Sequence, residues 1–227
     1  MTHYSFFLFD FDGLLVDTEP LHYAAYMEMS RRRGFPLPWD FERFCKEAHS
    51  KNSGFFDGLE KEHPTLFSSG LSKEILYEEK KKLYVELLKS SPLSLVEGIE
   101  AVLKDLEQKG SKRAVVTNSP RVQIELIWSK IPLLKTIPLW ITREDYAQPK
   151  PAPDGYLEAM KRLHVQGEKG VGFEDSARGI LSLLRAGVDA VLVCPPSYAG
   201  IAECQQLGAS HIERLSVEYF TSARNKP

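Results

Sequence analysis

Cysteine is scarce in this sequence. Only Cys45, Cys194 and Cys204 occur among its 227 residues, and no two of them form a Cys-x-x-Cys pair. An odd number of cysteines without such spacing argues against a disulfide framework and against a zinc site. The pattern favours a protein of a reducing, cytoplasmic compartment.

A strong net charge and a long apolar run are missing as well. Lys and Arg total 29 and Asp and Glu total 31, so the sequence does not predict binding to nucleic acid or to an anionic membrane. No stretch is long enough for a transmembrane helix. We expect no signal peptide, because the N-terminus lacks a basic region and Asp10 interrupts its apolar run.

The motifs of several large enzyme classes are also absent. The sequence contains no Walker A motif, no Gly-x-Ser-x-Gly and no zinc-ligand spacing. Nucleoside triphosphatase, serine hydrolase and zinc enzyme therefore have no support. With 43% hydrophobic and 26% charged residues, the composition is that of a folded protein, and the length suits one domain or one domain with an insertion.

Apolar segments and helical patterns alternate along most of the chain. Runs without polar alternation are typical of strands covered on both faces of a parallel sheet. Segments with helical spacing lie between them, which predicts a doubly wound α/β fold. The predicted strands are residues 5–9, 113–117, 169–173 and 189–194, with 137–141 as a further candidate, and the predicted helices are 98–110, 121–131, 154–164 and 177–187.

One stretch, from residue 18 to residue 91, breaks this alternation. It shows helical patterns at both ends and no strand pattern. We interpret it as a helical insertion after the first strand. The predicted organisation is an α/β core formed by residues 1–17 and 92–227, with an inserted helical domain at 18–91.

The first predicted strand ends in two carboxylates, Asp10 and Asp12. On an extended chain, side chains two residues apart point the same way, and two like charges that close repel each other. Ligands of open α/β sheets bind beyond the carboxyl ends of the strands, where oxygen ligands suit a hard cation such as Mg²⁺. Taken alone, the pair is equally compatible with a loop that faces water.

Polar residues follow other predicted strands too. Thr117 and Asn118 end the second strand, and Glu174 and Asp175 end the strand before the last predicted helix. Each pair alone is compatible with helix capping, and Lys150, which lies between two prolines, with a surface turn. Together with the first pair, however, they place four carboxylates at one edge of the sheet, a concentration that a divalent cation and Lys150 would offset.

At this point the sequence resembles a known family. Asp10-x-Asp12-Gly13, Thr117-Asn118, Lys150 and Glu174-Asp175 resemble, in order and spacing, the four motifs of the haloacid dehalogenase superfamily. The resemblance covers nearly the whole chain. The segments DFDGLLVDTE, KPAPDGYLEA and FEDSARGI look most like the β-phosphoglucomutase-like phosphatase subgroup.

The resemblance implies a role for each core residue. Asp10 would be the nucleophile that forms an aspartyl-phosphate. Asp12 would protonate the leaving alcohol and then activate water. Thr117 and Asn118 would bind phosphoryl oxygens, and Lys150 would pair with Asp10 and the phosphoryl group.

The resemblance also implies a Mg²⁺ ion. It would be held by Asp10, by the main-chain carbonyl of Asp12 and by Asp175, with Glu174 as a ligand or a neighbour of one. The ion would neutralise charge between nucleophile and phosphate.

The helical insertion then resembles the cap of this family, which closes over the site and contacts substrate. His22, on the first cap helix, and Lys51 are the candidate substrate contacts. In relatives a Gly-x-Ser-Arg-like stretch often serves this purpose. Here the matching stretch is KEAHSK, with Ala48 for the glycine and Lys51 for the arginine.

Four alternatives accompany the prediction of a phosphatase that acts on a small phosphorylated metabolite. A sugar-phosphate mutase would keep every core residue. Dehalogenation and phosphonate cleavage occur in relatives that lack the second aspartate, and Asp12 disfavours both. A non-catalytic binder of a phosphorylated ligand would be expected to lose Asp10 or Asp12, and both are present. We expect a monomer by default.

Overall fold

The computed structural model describes residues 4–49, 55–64 and 72–222. Contacts within the chain define two compact units. One comprises Met1–Asp17 and Leu93–Pro227, and the other comprises Thr18–Pro92.

All the secondary-structure elements described in the unit Thr18–Pro92 are helices. Its helices are α1 (Glu19–Arg32), α2 (Phe41–His49), α3 (Phe55–Glu62) and α4 (Lys73–Ser90). Ser72 caps α4, because its hydroxyl accepts a hydrogen bond from the main-chain N–H of Ile75 at 3.3 Å. The sequence predicted α1 and α4, whereas α2 and α3 lie in a mixed region where no helix was assigned.

The other unit is built on a parallel sheet of six described strands. They are β1 (Phe6–Phe9), β2 (Lys112–Val116), β3 (Leu139–Ile141), β4 (Gly170–Glu174), β5 (Asp189–Val193) and β6 (Ser210–Ile212). Their order in the sheet is β3-β2-β1-β4-β5-β6, and every neighbouring pair is parallel. The predicted doubly wound α/β fold is confirmed.

Helices connect these strands. They are α5 (Ile99–Gln108), α6 (Arg121–Lys130), α7 (Asp154–Leu163), α8 (Ala177–Arg185), α9 (Ile201–Gln206) and α10 (Val217–Ser222). Gly98 precedes α5 with a φ of +88°, and a Cβ there would lie 2.6 Å from the carbonyl oxygen of Leu215. Only glycine meets both requirements without strain.

The core lies on both faces of the sheet, because successive side chains of a strand point to opposite faces. Phe6 and Leu8 of β1 join the apolar cluster that includes Tyr156 of α7. On the opposite face, Phe7 packs edge-on against Phe220 of α10, with ring centroids 5.1 Å apart. Burial on both faces explains why the strands appear in the sequence as continuous apolar runs.

The three cysteines are free thiols. Within the described ranges, no helix combines the length and the apolar character needed to cross a membrane.

Candidate active site

The sheet brings the polar ends of β1, β2 and β4 to one edge. The ladder continues past the strands: the N–H of Asp10 donates to the carbonyl of Phe173 at 2.9 Å, and that of Thr117 to Ile141 at 3.0 Å. Phe9 is paired with Phe173, so Asp10 and Glu174 lie side by side on neighbouring strands. Residues far apart in sequence thereby meet beyond the carboxyl ends of the strands.

Lys150 lies at the centre of this edge. Its Nζ is 2.5 Å from Asp10 Oδ1, 2.7 Å from Glu174 Oε1 and 2.8 Å from the carbonyl oxygen of Val116. An ammonium carries three protons, and these three acceptors match them. Burial alone would lower the pKa of Lys150, but the Asp10 and Glu174 carboxylates outweigh it and raise that pKa, so the side chain stays charged.

Asp10 is buried, and its charge is only partly compensated. Burial and then the neighbouring Glu174 carboxylate raise the pKa of Asp10 well above its ordinary value, and Lys150 opposes them only in part. One ammonium therefore faces two buried carboxylates, with Asp175 as a further source of negative charge. The described residues therefore leave a net negative charge at the site, which additional positive charge would offset.

Asp10, Glu174 and Asp175 form a group that fits a metal ion. Each offers one carboxylate oxygen, and these oxygens all lie within 4.8 Å of one another. A set of hard oxygen donors suits a cation such as Mg²⁺ better than a soft metal. The carboxylate of Asp12 is not part of this group in the described structure.

The carboxylate of Asp12 contacts hydroxyl groups instead. Its Oδ2 accepts hydrogen bonds from Ser119 Oγ at 2.6 Å and from Thr117 Oγ1 at 3.3 Å. Gly13, with a φ of +78°, turns the chain directly after Asp12, and its N–H donates to the carbonyl of Val16 at 3.0 Å. Asp10 and Asp12 therefore share one edge but have different partners.

Asn118 is held by donors to its side-chain oxygen. Tyr146 Oη lies 2.8 Å from Asn118 Oδ1 and 2.8 Å from the carbonyl oxygen of Thr117. Burial raises the pKa of Tyr146 to about 12, so its hydroxyl remains a donor at neutral pH. The main-chain N–H of Lys150 also donates to Asn118 Oδ1, at 3.3 Å. Because Oδ1 is taken up in this way, the amide NH₂ is the group left to bind an anion.

Glu174 is fully buried and receives several donors. Tyr156 donates its hydroxyl to Glu174 Oε1 at 2.5 Å, and Ser176 Oγ donates to Oε2 at 3.3 Å. Ser176 also caps α8 by accepting from the N–H of Gly179 at 3.2 Å. A methyl group added at Gly179 would overlap the Glu174 carboxylate, so this glycine leaves the space that the carboxylate occupies.

The structure thus brings together the core residues that the sequence analysis selected. Three further residues, Ser119, Tyr146 and Tyr156, contact them and were not selected. Ser119 directly follows the pair Thr117 and Asn118, at a position before a helix where a serine is ordinarily a cap. The two tyrosines carried no signal, since their partners are distant in sequence.

Of the two candidates in the helical unit, His22 is among the described residues. The Nδ1 atom of His22 lies 2.7 Å from the Nζ atom of Lys80, and the imidazole ring stacks on Tyr84 with centroids 4.0 Å apart. Lys51 lies outside the described residues.

Comparison with known proteins gives a consistent result. The profile of the haloacid dehalogenase-like hydrolase family matches residues 7–193. A phosphorylated carbohydrates phosphatase of Thermotoga maritima is 30% identical over 191 residues, which cover 81% of this chain and 82% of that protein. Hexitol phosphatase A of Escherichia coli is 30% identical over 192 residues, with 84% and 83% covered. The crystal structure of a family IA haloacid dehalogenase hydrolase from Entamoeba histolytica is 25% identical, covers both chains fully and superposes with a TM-score of 0.74.

Proposed function

The chain belongs to the haloacid dehalogenase-like hydrolases and is a phosphoric monoester hydrolase, and we propose that it is a Mg²⁺-dependent phosphatase of a small phosphorylated carbohydrate or similar metabolite. The family and the enzyme class predicted from the sequence are confirmed. The further proposal depends on one observation above all, the contact of Asp10 with the buried ammonium of Lys150.

In the proposed first step, a carboxylate oxygen of Asp10 attacks the phosphorus of the substrate. The bond from phosphorus to the alcohol oxygen breaks, and Asp12 gives its proton to that oxygen. The products are the free alcohol and an aspartyl-phosphate. Lys150 favours the ionised form of Asp10 and orients it for the attack.

In the second step, a water molecule attacks the same phosphorus. Asp12, now ionised, takes a proton from the water, and the bond between phosphorus and Asp10 breaks. Inorganic phosphate leaves, and both aspartates return to their starting states. The contacts of Asp12 with Thr117 and Ser119, at the same edge of the sheet as Asp10, support its use in both steps.

The remaining core residues hold the phosphoryl group and the metal. Thr117 and the amide NH₂ of Asn118 supply hydrogen-bond donors for phosphoryl oxygens. Asp10, Asp175 and Glu174 would hold Mg²⁺ together with the main-chain carbonyl of Asp12. When bound, the ion supplies positive charge between the nucleophile and the phosphoryl oxygens.

The substrate class is inferred from the relatives. Two of those reported above are named for phosphorylated carbohydrates and for hexitol phosphates, and each is 30% identical over more than four fifths of both chains. A phosphate ester of a sugar or sugar alcohol is the common chemistry. Neither relative is a mutase by name, which favours water as the acceptor.

The test is a screen of phosphorylated sugars and sugar alcohols, with the purified protein and Mg²⁺, that measures inorganic phosphate. Asp10→Asn is the matched control, because it keeps the size of the side chain and removes the nucleophile. Phosphate release that depends on Asp10 is the expected result. If the folded wild-type protein released no phosphate from any member of a broad panel, or if the control retained the activity, the proposal would be wrong.

A further inference from the structure

We infer that Ser119 is a positioning residue for Asp12, whose carboxylate it holds through a hydrogen bond to Oδ2. This inference rests on the proposed function, in which Asp12 gives and takes a proton. It goes beyond that function because it assigns Ser119 the task of orienting Asp12.

The geometry starts from a short contact. Ser119 Oγ lies 2.6 Å from Asp12 Oδ2, although the two residues are 107 positions apart in the sequence. Ser119 Oγ is the nearer of the two hydroxyl oxygens on Asp12 Oδ2, since Thr117 Oγ1 lies at 3.3 Å. Both Asp12 and Ser119 are half-buried, so water competes only weakly for this contact.

The direction of each hydrogen bond follows from the main chain. The N–H of Ser119 donates to Thr117 Oγ1 at 2.9 Å. The Thr117 oxygen is therefore an acceptor in that bond, and its own proton is directed to Asp12 Oδ2. An ionised carboxylate only accepts, so the hydroxyl of Ser119 donates to Oδ2 as well.

The Ser119 hydroxyl fixes the rotation of the Asp12 carboxylate. The Thr117 hydroxyl has a single proton, which the proposed function directs to a phosphoryl oxygen when substrate is bound. Ser119, at 2.6 Å, is then the hydroxyl that continues to hold Asp12 Oδ2.

The ordinary alternative for this serine is capping of helix α6. Here the N-cap of that helix is Pro120, and no side chain makes a capping hydrogen bond. The hydroxyl of Ser119 is directed to Asp12 instead. The contact with Asp12 therefore distinguishes this serine from a helix cap.

The test uses a series of substrates whose leaving groups differ in how much they depend on protonation. The measured quantity is kcat/KM for a series of para-substituted phenyl phosphates, from p-nitrophenyl phosphate to p-methoxyphenyl phosphate. This parameter covers the steps up to release of the phenol, for which a basic leaving group needs protonation and p-nitrophenolate does not. The variants are Ser119→Ala, Ser119→Thr, which keeps the hydroxyl, and Ser129→Ala, which removes a hydroxyl from the following helix α6. Ser129 donates to the carbonyl of Leu126 at 2.6 Å.

We expect Ser119→Ala to lower kcat/KM by about 10- to 100-fold for p-methoxyphenyl phosphate and by less than about threefold for p-nitrophenyl phosphate. Ser119→Thr and Ser129→Ala should follow the wild-type dependence on the leaving group. If folded Ser119→Ala lost kcat/KM equally for every substrate of the series, or lost none, the inference would be overturned while the proposed function stayed intact. If the wild-type protein hydrolysed none of the series or of the phosphorylated sugars, the proposed function would fail, and the inference with it.

Discussion

The ammonium of Lys150 lies 2.5 Å from the carboxylate of Asp10, and the same ammonium lies 2.7 Å from Glu174. One cation thus serves two buried anions on neighbouring strands. The arrangement places a cation against the nucleophilic carboxylate in a buried site, but it leaves negative charge in excess. Several measurable properties depend on this imbalance.

The first is the stability of the metal-free protein. The pKa of Asp10 is raised in the folded state, by burial and by Glu174, so its ionisation costs stability. A carboxyl group whose pKa is higher in the folded than in the unfolded protein stabilises the folded state at low pH. This stabilisation is fully present below the pKa of the unfolded state, and it is lost as the pH rises through the pKa of the folded state. At neutral pH with EDTA, Asp10→Asn should therefore have a higher Tm than the wild type while being inactive. Thermal unfolding of both proteins measures this, and a clearly lower Tm for the variant would show that Asp10 is not under electrostatic strain.

The second property is metal dependence. EDTA should abolish phosphate release, and added Mg²⁺ should restore it, because Asp10, Glu174 and Asp175 form a compact set of oxygen donors. Asp175→Asn should weaken Mg²⁺ binding by about 10-fold or more. The exposed Asp17 lies outside this set, and Asp17→Asn serves as the control. Calorimetric titration of the metal-free proteins gives the affinities, and equal affinities for Asp175→Asn and Asp17→Asn would exclude Asp175 as a ligand.

A third prediction concerns the buried hydroxyl of Tyr156. Tyr156→Phe removes the donor 2.5 Å from Glu174 Oε1, and the carboxylate has no access to solvent there. We expect a loss of about 1.5–3 kcal/mol in the free energy of unfolding, as for a buried hydrogen bond to a charged group. Tyr4→Phe removes an exposed tyrosine–carboxylate hydrogen bond, to Asp189 at 2.9 Å, and should cost less than about 1 kcal/mol. Urea unfolding compares the two, and equal losses would contradict the assigned role of Tyr156.

A fourth prediction concerns Gly179, in the first turn of α8. In an unobstructed helix, alanine is more favourable than glycine by about 1 kcal/mol. Here an added methyl overlaps the Glu174 carboxylate, so Gly179→Ala should destabilise the protein instead and reduce its affinity for Mg²⁺. In the double variant with Glu174→Ala the overlap is gone, and the stability loss due to Gly179→Ala should disappear. If the stability losses of Gly179→Ala and Glu174→Ala simply added up in the double variant, Gly179 and the Glu174 carboxylate would not interact.

The strands that the sequence predicted are those buried on both faces, because burial there produces continuous apolar runs. β6 was missed, since Ser210–Ile212 is short and only partly buried, and such a strand leaves no apolar run. Helices α2 and α3 were missed in a region of mixed pattern, and α9 and α10 are only six residues each. Propensity gives a weak signal over such short lengths.

The residues of the candidate site likewise fall into those that the sequence predicts and those that it does not. Asp10, Lys150 and Glu174 could be selected because their types and order along the chain resemble a family. Ser119 and Tyr156 could not, because a serine before a helix and a tyrosine on a helix face have ordinary structural explanations. Their roles depend on tertiary contacts, which no local pattern contains.

The central claim is that Asp10 becomes phosphorylated during turnover. The most direct measurement is to quench the enzyme with acid while it hydrolyses substrate, to reduce it with borohydride and to map the peptides by mass spectrometry. Borohydride converts an aspartyl-phosphate to homoserine, and the account predicts homoserine at position 10. With p-nitrophenyl phosphate, whose leaving group needs no proton, the level should rise in Asp12→Asn because the second step loses its base. Phosphate release without homoserine at position 10 in either protein would contradict the account.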